Sequence, residues 1–292
     1  MPPRTTPLHV ELVPGRTWTL DELPPRSIAL DGAVRGPAID TASARYSFDH
    51  HDGVIRHATL ATCEQVRDAL LVGLDPRGYH VFVNDVDGDT ALSIWLLLHP
   101  ERLHGAGATR VLRLVERVGR SDALGPGRGK PHPLHVALSP PIGAVQSRAM
   151  LDRALAMIDA WWSAGTTPRP PKSKPAAAFW VDRSGTLEHG VVGRMEGLYG
   201  RAEVGVLHGP APKGTRAYTI AKRSEFVDFD VRAFLAAMSA REPGWGGGST
   251  IGGAPRHADG SRSRLPIEDV VAVFLEVARG RADHVLPSAA SR

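Results

Sequence analysis

Tyr79-His80-Val81-Phe82-Val83-Asn84-Asp85-Val86-Asp87-Gly88-Asp89-Thr90-Ala91-Leu92-Ser93-Ile94-Trp95-Leu96-Leu97-Leu98-His99-Pro100 decides the fold class of this 292-residue chain. Residues 79–83 are β-branched and aromatic, the composition of a buried strand. Residues 84–89 form an acidic turn. From 89 to 98 the apolar density of a core helix follows, and Pro100 ends it. A strand, a turn and a helix are half of a βαβ unit, so the expected class is α/β. In open α/β sheets ligands gather beyond the carboxyl ends of the strands, which is where Asp85, Asp87 and Asp89 would stand.

Upstream lies Tyr46-Ser47-Phe48-Asp49-His50-His51-Asp52-Gly53, a short strand that delivers Asp49 at its end. Other short strands are expected at 8–13, 27–30 and 38–40. Thr62 is placed to cap a helix over 63–72, with Val66, Ala69 and Leu70 at helical spacing. Further helices are expected at 108–118 and 149–163. His132 and His135 fall in a Pro-rich stretch that does not read as a helix, so they are discounted as a metal pair. Residues 165–176 are rich in Pro and Lys and read as a linker. The expected organisation is therefore an α/β domain over 1–164, mainly a parallel sheet, and a smaller α+β domain over 177–292. In the latter, strands are expected at 177–181, 202–207 and 216–220, and helices at 231–239 and 266–278.

Composition narrows the class. Apolar residues are 42% and charged residues 23%, ordinary globular usage that excludes disorder and fibrous repeats. The apolar run 91–98 is too short to span a bilayer, and Met1-Pro2-Pro3-Arg4 lacks the apolar core of a signal peptide. The expectation is a cytoplasmic protein without a membrane partner. Cys63 is the only cysteine, so no disulfide can form within the chain and any metal must be held by His, Asp and Glu; Cys63 itself reads as a buried structural thiol. The net charge of +4 comes from scattered Arg. Denser basic stretches at 128–130, 169–174 and 256–264 could meet phosphate and would then make binding steeply salt-dependent.

The two acidic segments together suggest a metal-dependent hydrolase. Two divalent ions can clamp a phosphoryl group and lower the pKa of water. Asp49, His51, Asp85 and Asp87 are the preferred ligands, with His50, Asp89 and Asp40 behind them. His50, His51 and Asp89 are the candidates for direct catalytic roles. Carboxylate with imidazole suits manganese, zinc or iron, and Mn2+ is the expected ion, with two ions accommodated. An EF-hand is excluded because Thr90 and Leu96 occupy the positions that need Gly and Glu. An Asp-rich turn before a helix also caps it, and Asp89 is the residue expected to do so. In the second half, Gly244-Trp245-Gly246-Gly247-Gly248-Ser249-Thr250-Ile251-Gly252-Gly253-Ala254-Pro255-Arg256 can bring backbone N–H groups to an anion. Gly247, Gly248, Ser249, Thr250 and Arg256 are its candidate substrate contacts. A tight turn, with Trp245 as packing, accounts for the same glycines.

Asp49-His50-His51 and Val83-Asn84-Asp85-Val86-Asp87-Gly88-Asp89-Thr90-Ala91 resemble the motifs of the DHH phosphoesterases. That resemblance implies a metal-binding Asp-x-Asp at Asp85 and Asp87, a further lone Asp for which Asp122 is the match, and a C-terminal domain whose Gly-rich loop holds substrate. The substrate would be a phosphorylated small molecule or a short oligonucleotide, hydrolysed at a phosphate ester or phosphodiester. A homodimer is compatible with it. In the family the Asp-x-Asp segment precedes Asp-His-His, whereas here it follows; either the order is permuted or 85–89 corresponds to a later family element. The family's first-motif His and the His of its Gly-rich loop are both missing here. The alternative is a non-catalytic protein of DHH-like fold that binds a phosphorylated ligand or nucleic acid.

Overall fold

Five short runs in the first half of the chain pair into one sheet. In the computed structural model, which describes residues 8–124, 132–139, 146–165, 176–182, 185–192, 195–224 and 226–279, these are β1 (His9–Leu12), β2 (Ser27–Leu30), β3 (Ala38–Asp40), β4 (Arg45–Phe48) and β5 (His80–Val83). Their order is β1-β5-β2-β4-β3. β1, β5, β2 and β4 are parallel, and β3 runs antiparallel at the edge. Because β2, β4 and β5 are parallel neighbours, the residues that follow them emerge at one edge of the sheet.

Side chains alternate across the strands, and both faces of β2 are buried. Ile28, Leu30, Val81 and Val83 point into a core formed with α1 (Thr62–Leu71), α2 (Gly88–Leu98), α3 (Ala108–Leu124), α4 (Pro133–Leu138) and α5 (Arg148–Ala164). Ala29 and Phe82 face the other way, onto Trp18 and Leu23. α2 is buried from Gly88 to Leu97, as a helix apolar on all sides must be. Each large side chain in it, such as Ile94 or Trp95, contributes ~2 kcal/mol by burial, and a charge there would unfold this core.

Local chemistry sets the helix boundaries. α1 begins at Thr62 with Ala61 as its cap, so Thr62 is not the cap expected from sequence; the Ala61 N–H is taken by Glu64 Oε2 at 3.2 Å. α2 is capped by Asp87, whose Oδ1 accepts from Thr90 N at 2.8 Å, which corrects the expectation for Asp89. α3 runs past residue 118 to Leu124 because Gly119 lets it pass against Glu64, where a Cβ would stand 2.6 Å from the carboxyl carbon. That extra turn carries Asp122. The stretch around His132 and His135 is helical after all: Pro133 occupies the first turn, where no N–H is needed, and His132 Nδ1 caps Leu134 N.

The chain divides into two compact units, Met1–Lys172 and Ser173–Arg292. Most of the expected linker, the basic stretches at 128–130 and 169–174, lies outside the described residues. The second unit is built on an antiparallel sheet of β6 (Ala176–Val181), β7 (Leu187–Val192), β8 (Val204–Pro210), β9 (Arg216–Lys222), β10 (Gly246–Gly247) and β11 (Ile251–Gly253), in the order β10-β11-β9-β8-β6-β7. α6 (Met195–Tyr199) follows β7. α7 (Val231–Arg241) and α8 (Ile267–Arg279) bring Phe234, Leu235, Val270 and Phe274 onto Phe179, Val206, Tyr218 and Ile220. Trp245 is part of this core, stacked on Tyr218. Among the described residues no helix is long and apolar enough to cross a membrane.

Candidate metal centre

The carboxyl edge of the first sheet gathers side chains from five places in the chain. β2 ends in Asp31, β4 in Asp49-His50-His51 and β5 in Asn84-Asp85; α2 contributes Asp87 and Asp89, and α3 contributes Asp122. His50 is at the centre and fully buried. Its Nε2 lies 2.9 Å from Asp122 Oδ2, 3.6 Å from Asp31 Oδ1 and 3.6 Å from Asp89 Oδ2. The Asp122 contact is at ion-pair distance, and the buried imidazole nitrogen thus faces three carboxylates at once. Two groups of potential ligand atoms within metal-binding distance share this ring: His50 with Asp89 and Asp122, and His50 with Asp31 and His51. These Asp/His clusters are compatible with a divalent cation.

The buried charges shift one another. Burial disfavours a protonated His50, yet Asp122 and Asp31 raise its pKa to about 10. Burial likewise opposes ionisation of Asp31, but the two imidazoles hold it at about 2, and Thr62 Oγ1 and Thr90 Oγ1 donate to its two oxygens at 3.0 and 3.1 Å. Asp122 stays well below the usual carboxylate range against its burial, because Arg56 Nη2 donates to it at 2.7 Å and His50 adjoins it. Those counter-charges also offset the cost of a carboxylate in the last turn of α3, near its negative end.

Asp89 receives the first amides of α1, from Cys63 N at 2.8 Å and Thr62 N at 2.9 Å, an anion at a helix N-terminus. Burial and the charges of Asp31 and Asp122 still push it up to about 7. Burial and then Asp31, Asp122, Asp89 and Asp85 drive Asp87 well above its ordinary value. Carboxylates that burial and mutual repulsion hold protonated are carboxylates a cation would stabilise in the charged form.

The structure redistributes the roles expected from sequence. Asp-His-His and the Asp-rich turn do meet, through His50 and Asp89 rather than through Asp49 and Asp85. The Asp49 carboxylate is taken up by N–H groups: Gly36 N at 3.0 Å and Asp52 N at 3.4 Å on Oδ2, His51 N at 3.1 Å on Oδ1. The same Oδ1 is 2.9 Å from His51 Nδ1, so Asp49 orients His51. Asp85 is partly exposed and accepts from Val86 N at 2.8 Å. Asp40 lies away from the cluster: β3 is antiparallel, so its end is beside the start of β4, where Asp40 pairs with Arg45 at 3.3 Å.

Asp31, Thr62, Thr90 and Arg56 escape the sequence reading. Asp31 had a signal, since Ser27-Ile28-Ala29-Leu30-Asp31 repeats the strand-then-Asp pattern of Phe48-Asp49; Arg56, in a turn, had none. Cys63 is buried, its thiol pushed well up by burial and then by Asp89, which leaves it inert.

The Gly-rich segment of the second unit is a hairpin of β10 and β11. Gly247, Gly252 and Gly253 answer steric demands, whereas a Cβ on Gly246 would meet nothing within 4 Å. Gly247 has φ +150, and a Cβ there would stand 2.3 Å from Gly252 Cα; one on Gly253 would stand 2.4 Å from the Tyr218 carbonyl oxygen. Gly248 N–H donates to the Ile251 carbonyl at 2.8 Å. Thr250 is buried, and its carbonyl accepts from Lys222 N at 2.8 Å. Gly248 N–H is thus already used within the hairpin. Ser249 is partly buried and Arg256 is exposed.

No family model, curated protein or solved structure matches the chain. Function therefore rests on the site.

Proposed function

We propose that the protein is a divalent-metal-dependent phosphoesterase that hydrolyses a phosphate ester or phosphodiester of a nucleotide-like substrate, with Mn2+ as its ion. The observation that carries this reading is the convergence on buried His50 of Asp89 and Asp122 on one side and Asp31 and His51 on the other, with their potential ligand atoms within metal-binding distance. His50, Asp89 and Asp122 would hold one ion, and Asp31 with His51 the other, with Asp87 as a further candidate ligand. Bound there, the ions would supply Lewis acidity and a lowered pKa for water. The residues contribute position: Asp49 accepts from Nδ1–H of His51 and so leaves Nε2 as the lone-pair nitrogen. The partly exposed His51 ring would offer that lone pair to the ion. Thr62 and Thr90 fix Asp31 by hydrogen bonds.

The DHH resemblance supports the same activity. Its two motifs are reversed along the chain, but β4 and β5 both flank β2, so a permuted order still assembles one edge. Asp122 is the match for the family's lone Asp, and Asp31 follows β2, between β4 and β5 in the sheet. A cytoplasmic setting suits the free thiol of Cys63, and a homodimer is compatible with this reading.

One observation favours the non-catalytic alternative. Arg56 already neutralises Asp122, and a protonated His50 would neutralise more. Elemental analysis of protein purified with Mn2+, followed by assay on bis(p-nitrophenyl) phosphate and short oligonucleotides, separates the two. One to two equivalents of metal with Mn2+-dependent hydrolysis support the phosphoesterase. Metal-free protein with no turnover overturns it in favour of a phosphate-binding protein.

A further inference from the structure

A second constellation lies at the opposite edge of the same sheet. His9 and Glu11 are two apart on β1, so both point to one face. His80 opens β5 directly across from His9 in the parallel register. The two imidazole centroids are 4.2 Å apart and nearly perpendicular. His80 Nε2 is 3.3 Å from Glu11 Oε2 without the alignment of a hydrogen bond, and that nitrogen is buried with no other partner. Phe82 packs beneath the His80 ring at 4.6 Å, which fixes its direction. Potential ligand atoms of all three residues lie within 4.8 Å of one another.

We propose that His9, Glu11 and His80 form a second metal site, for a zinc-class transition ion, that ties β1 to β5. Ligand atoms ~2.0–2.1 Å from a tetrahedral ion stand ~3.3 Å apart, the spacing already held by His80 Nε2 and Glu11 Oε2. Two imidazoles and one carboxylate favour Zn2+, Ni2+ or Cu2+ over Mg2+ or Mn2+, so the two edges of the sheet would select different ions. His9 is exposed and the other two are partly so, which leaves the fourth coordination position to water. β1 is an edge strand with β5 as its neighbour in the sheet, so an ion bridging the pair adds a link that the strand's hydrogen bonds alone do not provide. The site shares no residue with the Asp/His cluster and does not rest on the phosphoesterase reading.

The test is titration of the full chain with Zn2+ and with Co2+, whose visible absorption reports four-coordinate nitrogen-rich binding, in the native protein and in His9→Gln, Glu11→Gln and His80→Gln. The native protein should bind one equivalent more than His9→Gln or His80→Gln, show the tetrahedral Co2+ spectrum and melt several degrees higher with Zn2+. Glu11→Gln should bind at least about tenfold more weakly. Mn2+ content should be the same in all four proteins. Equal Zn2+ stoichiometry, affinity and Co2+ spectrum in native protein and variants would overturn the site. His9 is exposed, so His9→Gln carries the test even if His80→Gln fails to fold.

Discussion

The Asp/His cluster beyond β2, β4 and β5 and the glycine hairpin β10–β11 are equally conspicuous as sequence, yet the fold uses them in opposite ways. In the hairpin, close contact accounts for Gly247, Gly252 and Gly253, on which a Cβ would collide with backbone or with Leu235. In the cluster, structural duty accounts for some groups and leaves others in conflict. Asp49 binds amides and Asp87 caps α2, but His50 Nε2 is buried within reach of three carboxylates, and Asp87 and Asp89 are pushed toward protonation by burial and then by neighbours of like charge. Steric necessity is satisfied within the molecule, whereas carboxylates held toward protonation are ones that a bound cation would stabilise in the charged form.

The contrast predicts what substitutions should do. The largest effect belongs to the middle of the cluster. Replacing His50 with Ala should remove bound Mn2+ and lower phosphodiester turnover by ~10³-fold, the scale of losing a central electrostatic group, with the circular dichroism spectrum retained; unchanged metal content and turnover would remove His50 from the site. Asp49→Asn should be milder, weakening Mn2+ about 10–100-fold by releasing His51 from its orientation. If that variant instead lost metal outright, Asp49 would be a ligand and its amide contacts secondary.

In the hairpin the expected change is in stability alone. Gly247→Ala should destabilise the second unit by about 1–3 kcal/mol through overpacking, read as a lower urea midpoint with unchanged Mn2+ binding. Gly209→Ala, where a Cβ would meet nothing within 4 Å, is the neutral control. A loss of substrate affinity without loss of stability in Gly247→Ala would return the hairpin to a binding role.

The smallest effect is a pH dependence of the second unit. Burial, then the charges of Arg216 and His189, lowers His208 from the ordinary 6.5 to about 4. The unfolded chain therefore takes up a proton that the folded chain resists. This stabilisation is complete above pH 6.5 and is lost as pH falls toward about 4. His208→Gln should flatten the slope of chemical-denaturation midpoints across that window; an unaltered slope would assign it to other groups.

Much of the α/β pattern is legible from residues 79–100 and their counterparts because burial imposes short-range periodicity. Strands at 27–30, 38–40 and 80–83 and the helix ending at Leu98 follow from apolar spacing and Pro100. The end of α3 is not legible, since Gly119 signals a stop but serves packing against Glu64. Nor is the cap of α1, whose amides are received by Asp89 from a helix 26 or 27 residues later in the chain.

The sequence alone determined that the chain is α/β, that its carboxylates and imidazoles fall at strand ends, and that any metal must be bound through oxygen and nitrogen. Tertiary structure alone decided which of those groups meet. Spacing along a strand or helix governs which way a side chain points, but the strand order β1-β5-β2-β4-β3 brings together residues far apart in the chain. It places Asp31 between the two motifs, hands Asp49 to the backbone, sets Asp122 against His50, and pairs His9 with His80 at the other edge.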